Sequence, residues 1–192
     1  MKRHMIRLLV IAVIMFAATS AFADYSYNFD ANTSSVLGQT GYIELQFNPG
    51  ISSGSASAVI TNFTSDGKLG AQILTGGVTG ALPGAVTINN TTGWNDYFQA
   101  VTFGNGAHFS LNLAGNADNS FGLSFYGADG MTSLLTGDPS GFATTIDMNA
   151  NGAVINNNSS QVTVAATPIP AAAWLFGSGL MGLAGIRRKM AA

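Results

Sequence analysis

His108-Phe109-Ser110-Leu111-Asn112-Leu113 and, after a six-residue gap, Ser120-Phe121-Gly122-Leu123-Ser124-Phe125-Tyr126 carry an apolar side chain at every second position. Successive side chains of a strand point to opposite faces, so this two-residue period describes strands with one buried face. The same alternation runs through Tyr25-Ser26-Tyr27-Asn28-Phe29 and through Tyr42 to Phe47, where Ile43, Leu45 and Phe47 share a side. Further strands are expected over 56–64, 69–75, 85–89, 97–103, 143–148 and 153–164. Turn signals separate them: Asn48-Pro49-Gly50, Asp66-Gly67, Leu82-Pro83-Gly84, Asp129-Gly130, Asp138-Pro139 and Asn151-Gly152. No sustained 3.6-residue apolar period occurs between 24 and 166. About ten short strands at this spacing predict an all-β fold, an antiparallel β-sandwich of jelly-roll type, with a barrel as the alternative. No fixed-period repeat and no long linker divides residues 24–166, which read as one domain.

The two ends have a different character. Lys2, Arg3 and Arg7 precede an apolar run over 8–18 and an Ala21-Phe22-Ala23 site, the pattern of a signal peptide over 1–23 cleaved before Asp24. At the other end, Pro168-Ile169-Pro170 leads into the uncharged stretch 171–186 and then Arg187-Arg188-Lys189. As a helix those residues reach ~24 Å, short of a hydrocarbon core of ~30 Å. The prolines disfavour helix before the stretch, and the basic triplet holds its far end on the cytoplasmic side. An ordinary tail anchor and a processed signal both fit such a helix.

The sequence of a Pro-x-Pro motif, an Ala171-Ala172-Ala173-Trp174-Leu175-Phe176-Gly177-Ser178-Gly179-Leu180 helix and a basic cluster closely resembles the PEP-CTERM sorting signal, here over 167–192. Ile169 stands where the family is named for Glu, as in a Pro-x-Pro-Ala-Ala variant of the signal. The resemblance implies Sec export, transient insertion in the inner membrane, and removal of the tail by an exosortase, which releases the protein to the cell surface or exterior among exopolysaccharide. The middle region, with Thr40-Gly41-Tyr42, Gln46-Phe47-Asn48-Pro49-Gly50, Asn95-Asp96-Tyr97-Phe98-Gln99 and Thr136-Gly137-Asp138-Pro139, is similar to a family of exported PEP-CTERM domains. That second resemblance implies no site.

Six of the seven basic residues lie in the two end segments, while all nine acidic residues lie between Asp24 and Asp147. Nine carboxylates against Lys68 alone leave residues 24–166 close to −8, where the whole chain is −2. Such a domain has no clustered cations with which to bind nucleic acid or anionic lipid. Divalent cations fit it better. The chain has no cysteine, so its stability comes from apolar burial rather than disulfides.

Catalytic residues are scarce: between the end segments there is one His (His108), one Lys, one Glu (Glu44) and no Arg. Gly50-Ile51-Ser52-Ser53-Gly54 matches a nucleophile elbow in letters, with Asp96 and His108 following in triad order. That elbow needs a strand-to-helix turn, and strand residues follow here. Glu44, Asp96, Asp118 and Asp129 could supply a carboxylate pair, but spacing selects none. Asp147-Met148-Asn149-Ala150-Asn151-Gly152 matches the first half of a calcium loop, with Asp147, Asn149 and Asn151 as oxygen ligands. Position twelve is Asn158 rather than the bidentate Glu of an EF-hand. A hairpin turn and a weak Ca²⁺ site both fit this stretch.

Trp94, Tyr97 and Phe98, beside Asn95, Asp96 and Gln99, combine ring faces with hydrogen-bonding groups, as a glycan-binding surface would; the other reading places Tyr97 or Phe98 in the core with Trp94 at a sheet edge. The expected function is a non-catalytic structural or adhesive protein displayed among exopolysaccharide. The alternative is a carbohydrate-binding module with a defined glycan, with a glycan-active hydrolase as a remoter third.

Overall fold

The computed structural model describes residues 25–115 and 118–167. The expected signal peptide with Ala21, Ala23 and Asp24, and the sorting residues Pro168, Ile169, Pro170, Arg187, Arg188 and Lys189, lie outside the described residues. Strand β1 is Tyr25–Asn32, followed by a single 3-10 turn at Ser34–Val36; then come β2 (Thr40–Pro49), β3 (Ala56–Ser65), β4 (Lys68–Thr75), β5 (Gly77–Gly80), β6 (Val86–Asn89) and β7 (Asp96–Thr102). The chain continues through β8 (Gly106–Gly115), β9 (Asn119–Gly127), β10 (Ser133–Leu134), β11 (Phe142–Asn149), β12 (Gly152–Asn157) and β13 (Val162–Ala166). Among the described residues there is no α-helix, and every strand pairing is antiparallel.

The first eight strands pair in a nested order, β1 with β8, β2 with β7 and β3 with β6. A long two-stranded ribbon folded over on itself produces this order, because each successive pair lies inside the last. Lateral pairing then builds two sheets, β13-β1-β8-β3-β6-β5 and β12-β11-β9-β2-β7-β4, with β10 on the far end of β9.

The alternation in the sequence decides which side of each strand faces in. Tyr27, Phe29 and Ala31 on β1, Phe109, Leu111 and Leu113 on β8, and Val86 and Ile88 on β6 are buried from the first sheet. Ile43, Leu45 and Phe47 on β2, Phe121, Leu123 and Phe125 on β9, and Ile146 and Met148 on β11 are buried from the second, and all belong to one apolar cluster. On β3 a register shift between Thr61 and Thr64, with Asn62 at φ 55°, moves the apolar phase by one residue. The bulge lets Phe63 follow Ala58 and Ile60 inward, where strict alternation would have buried Asn62. Phe29 stacks on Phe109 with centroids 4.6 Å apart and meets Phe121 edge-on at 5.7 Å, which ties the two sheets together.

The single strand expected over 153–164 is two. β12 pairs with β11 in the second sheet and β13 with β1 in the first, so the chain must change sheets between them. The polar run Asn156 to Ser160 makes the corner: Asn158 N–H donates to Ala143 O at 2.9 Å and Asn157 Nδ2 to Val162 O at 2.7 Å. β5 and β10 were not expected, since glycine-rich Gly77–Gly80 shows little alternation and β10 is two residues long. Replacing Phe29 by Ala should lower unfolding free energy by about 3–5 kcal/mol in urea denaturation, since it empties a site shared by both sheets. A loss below about 1 kcal/mol would show that Phe29 does not join them.

Candidate functional site

β7 divides the residues expected to form one glycan-binding surface. Tyr97 lies opposite Leu45 and Gln99 opposite Ile43, so both take the inward phase and are fully buried. The Tyr97 hydroxyl accepts from Leu82 N–H at 2.9 Å and donates to Gln99 Oε1 at 2.7 Å. Gln99 Nε2 in turn donates to the carbonyls of Gly70 and Ala100, both at 2.9 Å. The register of β4 shifts between Leu69 and Gln72, and the Gln99 amide supplies a donor that the shifted ladder does not. Asp96 has the opposite phase and points out of the second sheet. Trp94, 52% exposed, sits on the preceding loop, which the buried Asn95 side chain ties to Gly77, Thr92 and Phe47. Trp94, Asp96, Tyr97 and Gln99 therefore do not share a face.

The outer face of the second sheet gathers a different set. On β2 the outward residues are Tyr42, Glu44, Gln46 and Asn48. Tyr42 lies opposite Ala100 and Tyr126, Glu44 opposite Phe98 and Ser124, and Gln46 opposite Asp96 and Gly122. The Tyr42 and Phe98 rings stack at 4.5 Å and 21°, and Phe98 meets Tyr126 at 5.9 Å. Phe142 lies over Gly122, where any side chain would collide with its ring. These rings wall in two carboxyls, Glu44 at 6% exposure and Asp96 at 8%.

Burial pushes the Glu44 carboxyl above its ordinary range, while Gln46, the Tyr126 hydroxyl (3.2 Å from Oε2) and the Ser124 hydroxyl pull it back. Burial, and secondly the charge of Glu44, pushes Asp96 up to about 7. Asp96 Oδ1 is buried and has no hydrogen-bond partner. Among the described residues no cation is close enough to offset the pair. Lys68 is opposite Thr102, six residues along β7 from Asp96, which places it about 20 Å away at ~3.3 Å per residue, beyond a Debye length of ~8 Å.

Of the other candidates, Asp147 and Asn149 stand on the same sheet at β11, away from the ring cluster, and the rest lie in turns or on the other sheet. Asp147 Oδ1 accepts from Ser120 Oγ at 2.6 Å and Oδ2 from Asn156 Nδ2 at 2.7 Å, across the neighbouring strands. Asn149 Oδ1 accepts from Asn151 N–H at 2.9 Å, closing the β11–β12 hairpin on itself. Asp147 therefore stands within β11, opposite Val154, while Asn149 ends that strand and Asn151 lies in the turn to β12. Among the described residues, no three His, Cys, Asp or Glu side chains converge as a metal-binding group. His108 pairs with Asp30 on the outer face of the first sheet, the opposite side of the domain from Asp96. Gly50 to Gly54 form a loop between β2 and β3, with Ser52 N–H on Asp118, and no triad is assembled.

Glu44 and Asp96 are the pair that spacing alone left unchosen. Phe98, one of the aromatic candidates for the expected glycan surface, joins them; Tyr42, Gln46, Ser124 and Tyr126 carry no local site motif, although the alternation of β2 holds the signal: once Ile43, Leu45 and Phe47 go inward, Tyr42, Glu44 and Gln46 must go outward together. Comparison of the chain with protein-family models, with curated proteins and with solved structures finds no match in any of the three.

The electrostatics set the sign of the pH dependence. In the unfolded chain Asp96 titrates near 4, and in the fold near 7. Between those values the native state holds a proton that the unfolded chain has released, so stability falls as pH rises through the window, by at most ~1.4 kcal/mol per unit from this group. Glu44 acts with the same sign. Asp66 and Asp129, each held at about 2 first by a side-chain and then by backbone hydrogen bonds, act oppositely, and their contribution is lost as pH falls from about 4 towards 2. Urea titrations between about pH 4.5 and 7.5 should show declining stability in the wild type and a flatter profile in Asp96→Asn. An unchanged slope in the variant would remove Asp96 as its source.

Proposed function

We propose that this chain is an exported, non-catalytic extracellular-matrix protein whose domain contacts exopolysaccharide through the outer face of the second sheet. The domain is a β-sandwich of jelly-roll type; the nested pairing of β1 with β8, β2 with β7 and β3 with β6 supports that topology. Export follows from the signal peptide over 1–23. The PEP-CTERM-like tail over 167–192 brings exosortase processing and display outside the inner membrane.

The observation that carries the sugar-binding reading is the half-buried ring cluster of Tyr42, Phe98 and Tyr126 set beside Glu44, Gln46 and Asp96. Ring faces suit the CH surfaces of a pyranose, and carboxyl and amide groups suit its hydroxyls. A cleft of about 280 Å³ bordered by Tyr42, Leu69, Ala100 and Ala128 adjoins the cluster, near the lower limit of ~300 Å³ for small-ligand clefts. Trp94 is exposed on a loop of the same domain, outside the cluster.

Phe98→Ala should weaken affinity for exopolysaccharide by about ten-fold in a glycan-binding titration, while Trp94→Ala leaves it within about two-fold. Full affinity in Phe98→Ala would refute the assignment of this face. The mass of the secreted protein, compared in strains with and without the exosortase, checks processing separately.

A further inference from the structure

We infer that the outer face of the second sheet holds a divalent cation of the calcium type, bound between Glu44 on β2 and Asp96 on β7, with the side-chain oxygens of Gln46 and Ser124 completing the protein's share of the coordination. This site is independent of whether sugar binds, and it lies on a different part of the sheet from the Asp147–Asn151 turn.

The first observation is the arrangement across three adjacent strands. Gln46 is directly opposite Asp96, and Glu44 directly opposite Ser124, so the two carboxyls are diagonal neighbours on one face. Diagonal partners in an antiparallel pair have backbones about 7–8 Å apart and side chains closer than that, a span one ion can bridge with oxygen bonds of ~2.3–2.6 Å. The donor set is oxygen only, two carboxylates, an amide carbonyl and a hydroxyl, which suits a hard cation and not a thiophilic one. Gln46 Oε1 accepts one hydrogen bond, from Asn48 Nδ2 at 3.0 Å, and keeps a second lone pair.

The second observation is the state of Asp96 Oδ1. It is a carboxylate oxygen on a residue more than nine-tenths buried, and no hydrogen bond reaches it. A buried polar atom left without a partner costs ~1–3 kcal/mol, and more when charged, so the fold forgoes stability here unless a group outside the chain satisfies it. Two carboxyls are walled in by Tyr42, Phe98 and Tyr126, and among the described residues no cation neutralises them. On β2 the facing titratable groups are Glu44 and Tyr42, and on β9 Tyr126. β4 offers Thr75 opposite Asp96, with Lys68 at its far end. Asp129, on the loop that passes the Tyr42 and Phe98 rings, is engaged by Met131 and Thr132 of its own loop. Among the described residues each neighbour is neutral or acidic, which leaves a proton or a metal cation to balance the pair.

Metal and proton then compete for one site. Carboxylates bind a cation only in their deprotonated form, so affinity rises with pH. With only two carboxylates in the ligand set, the dissociation constant falls in the range of extracellular modules, about 10⁻⁴–10⁻³ M.

The test is calorimetric titration of the purified full chain with CaCl₂ at about pH 8 and about pH 6, in buffers of different ionisation enthalpy. The expected result is one saturable site at the higher pH and weaker binding at the lower. Glu44→Gln and Asp96→Asn should each weaken binding at least ten-fold, and Asp147→Asn should leave it unchanged. Should either carboxamide variant fail to fold, Mn²⁺ added to the wild type locates the site by NMR: the amides of Gln46, Tyr97 and Ser124 should broaden first, ahead of those of Asn149 to Gly152. Absence of saturable binding up to about 10 mM CaCl₂ at pH 8, binding that survives both carboxamide variants, or broadening centred on the hairpin turn would each overturn the inference.

Discussion

The phase of β2 governs most of what the domain is. β2 lies between β7 and β9 in the middle of the second sheet, and three of its side chains, Ile43, Leu45 and Phe47, are almost wholly buried. A slip of one residue would exchange them for Tyr42, Glu44 and Gln46, putting a carboxylate and an amide into the apolar cluster. Burying such groups without partners costs several kcal/mol each, far more than any gain at the surface. The apolar phase therefore fixes not only the core but also the composition of the opposite face. The outward row is a by-product of the inward one, and its neighbours on β7 and β9 follow from the same register.

That face combines two terms that oppose each other. Stacking of Tyr42 on Phe98 and the approach of Tyr126 bury ring area, which stabilises the sheet. The same rings exclude water from Glu44 and Asp96, which raises the cost of their charged forms. Elsewhere the acidic groups are handled differently. Asp66 accepts from the backbone N–H groups of Asn105 and Gly106, and Asp129 from those of Met131 and Thr132, so these exposed carboxylates pin loops at little desolvation cost. An acidic domain can thus spread charge over its loops cheaply, which makes the pair shielded on the sheet stand apart.

The strands were legible in the sequence because each has a two-residue period and ends in a turn signal. Expected 42–47 became β2 at Thr40–Pro49, and expected 120–126 became β9 at Asn119–Gly127. What alternation could not reveal were the points where backbone geometry breaks it. The bulge at Asn62, the shift on β4 and the sheet change after Asn157 each alter phase or partner without altering composition. The candidate site was half legible. Trp94, Asp96, Tyr97 and Gln99 were grouped because they are near in sequence, yet a strand sends neighbours to opposite faces, so Tyr97 and Gln99 entered the core. Glu44 and Tyr126 join Asp96 only through pairing across 52 and 30 residues of sequence, as the register of β2 with β7 and β9 shows. No local pattern contains that information.

The placement of β13 has a mechanical consequence. β13 runs antiparallel to β1 at the edge of the first sheet, and Thr167 N–H donates to Ser26 O at 2.7 Å, so the last described residue lies beside the start of the first strand. A pull applied at Thr167 loads the bonds between these two strands one after another, from the Ser26 end, as a zipper opens. Strands loaded in series in this way peel at low force, whereas strands pulled along their length must break their bonds together. Tension applied at Thr167 would therefore be taken first by this edge strand, before the nested pairs of β1 to β8.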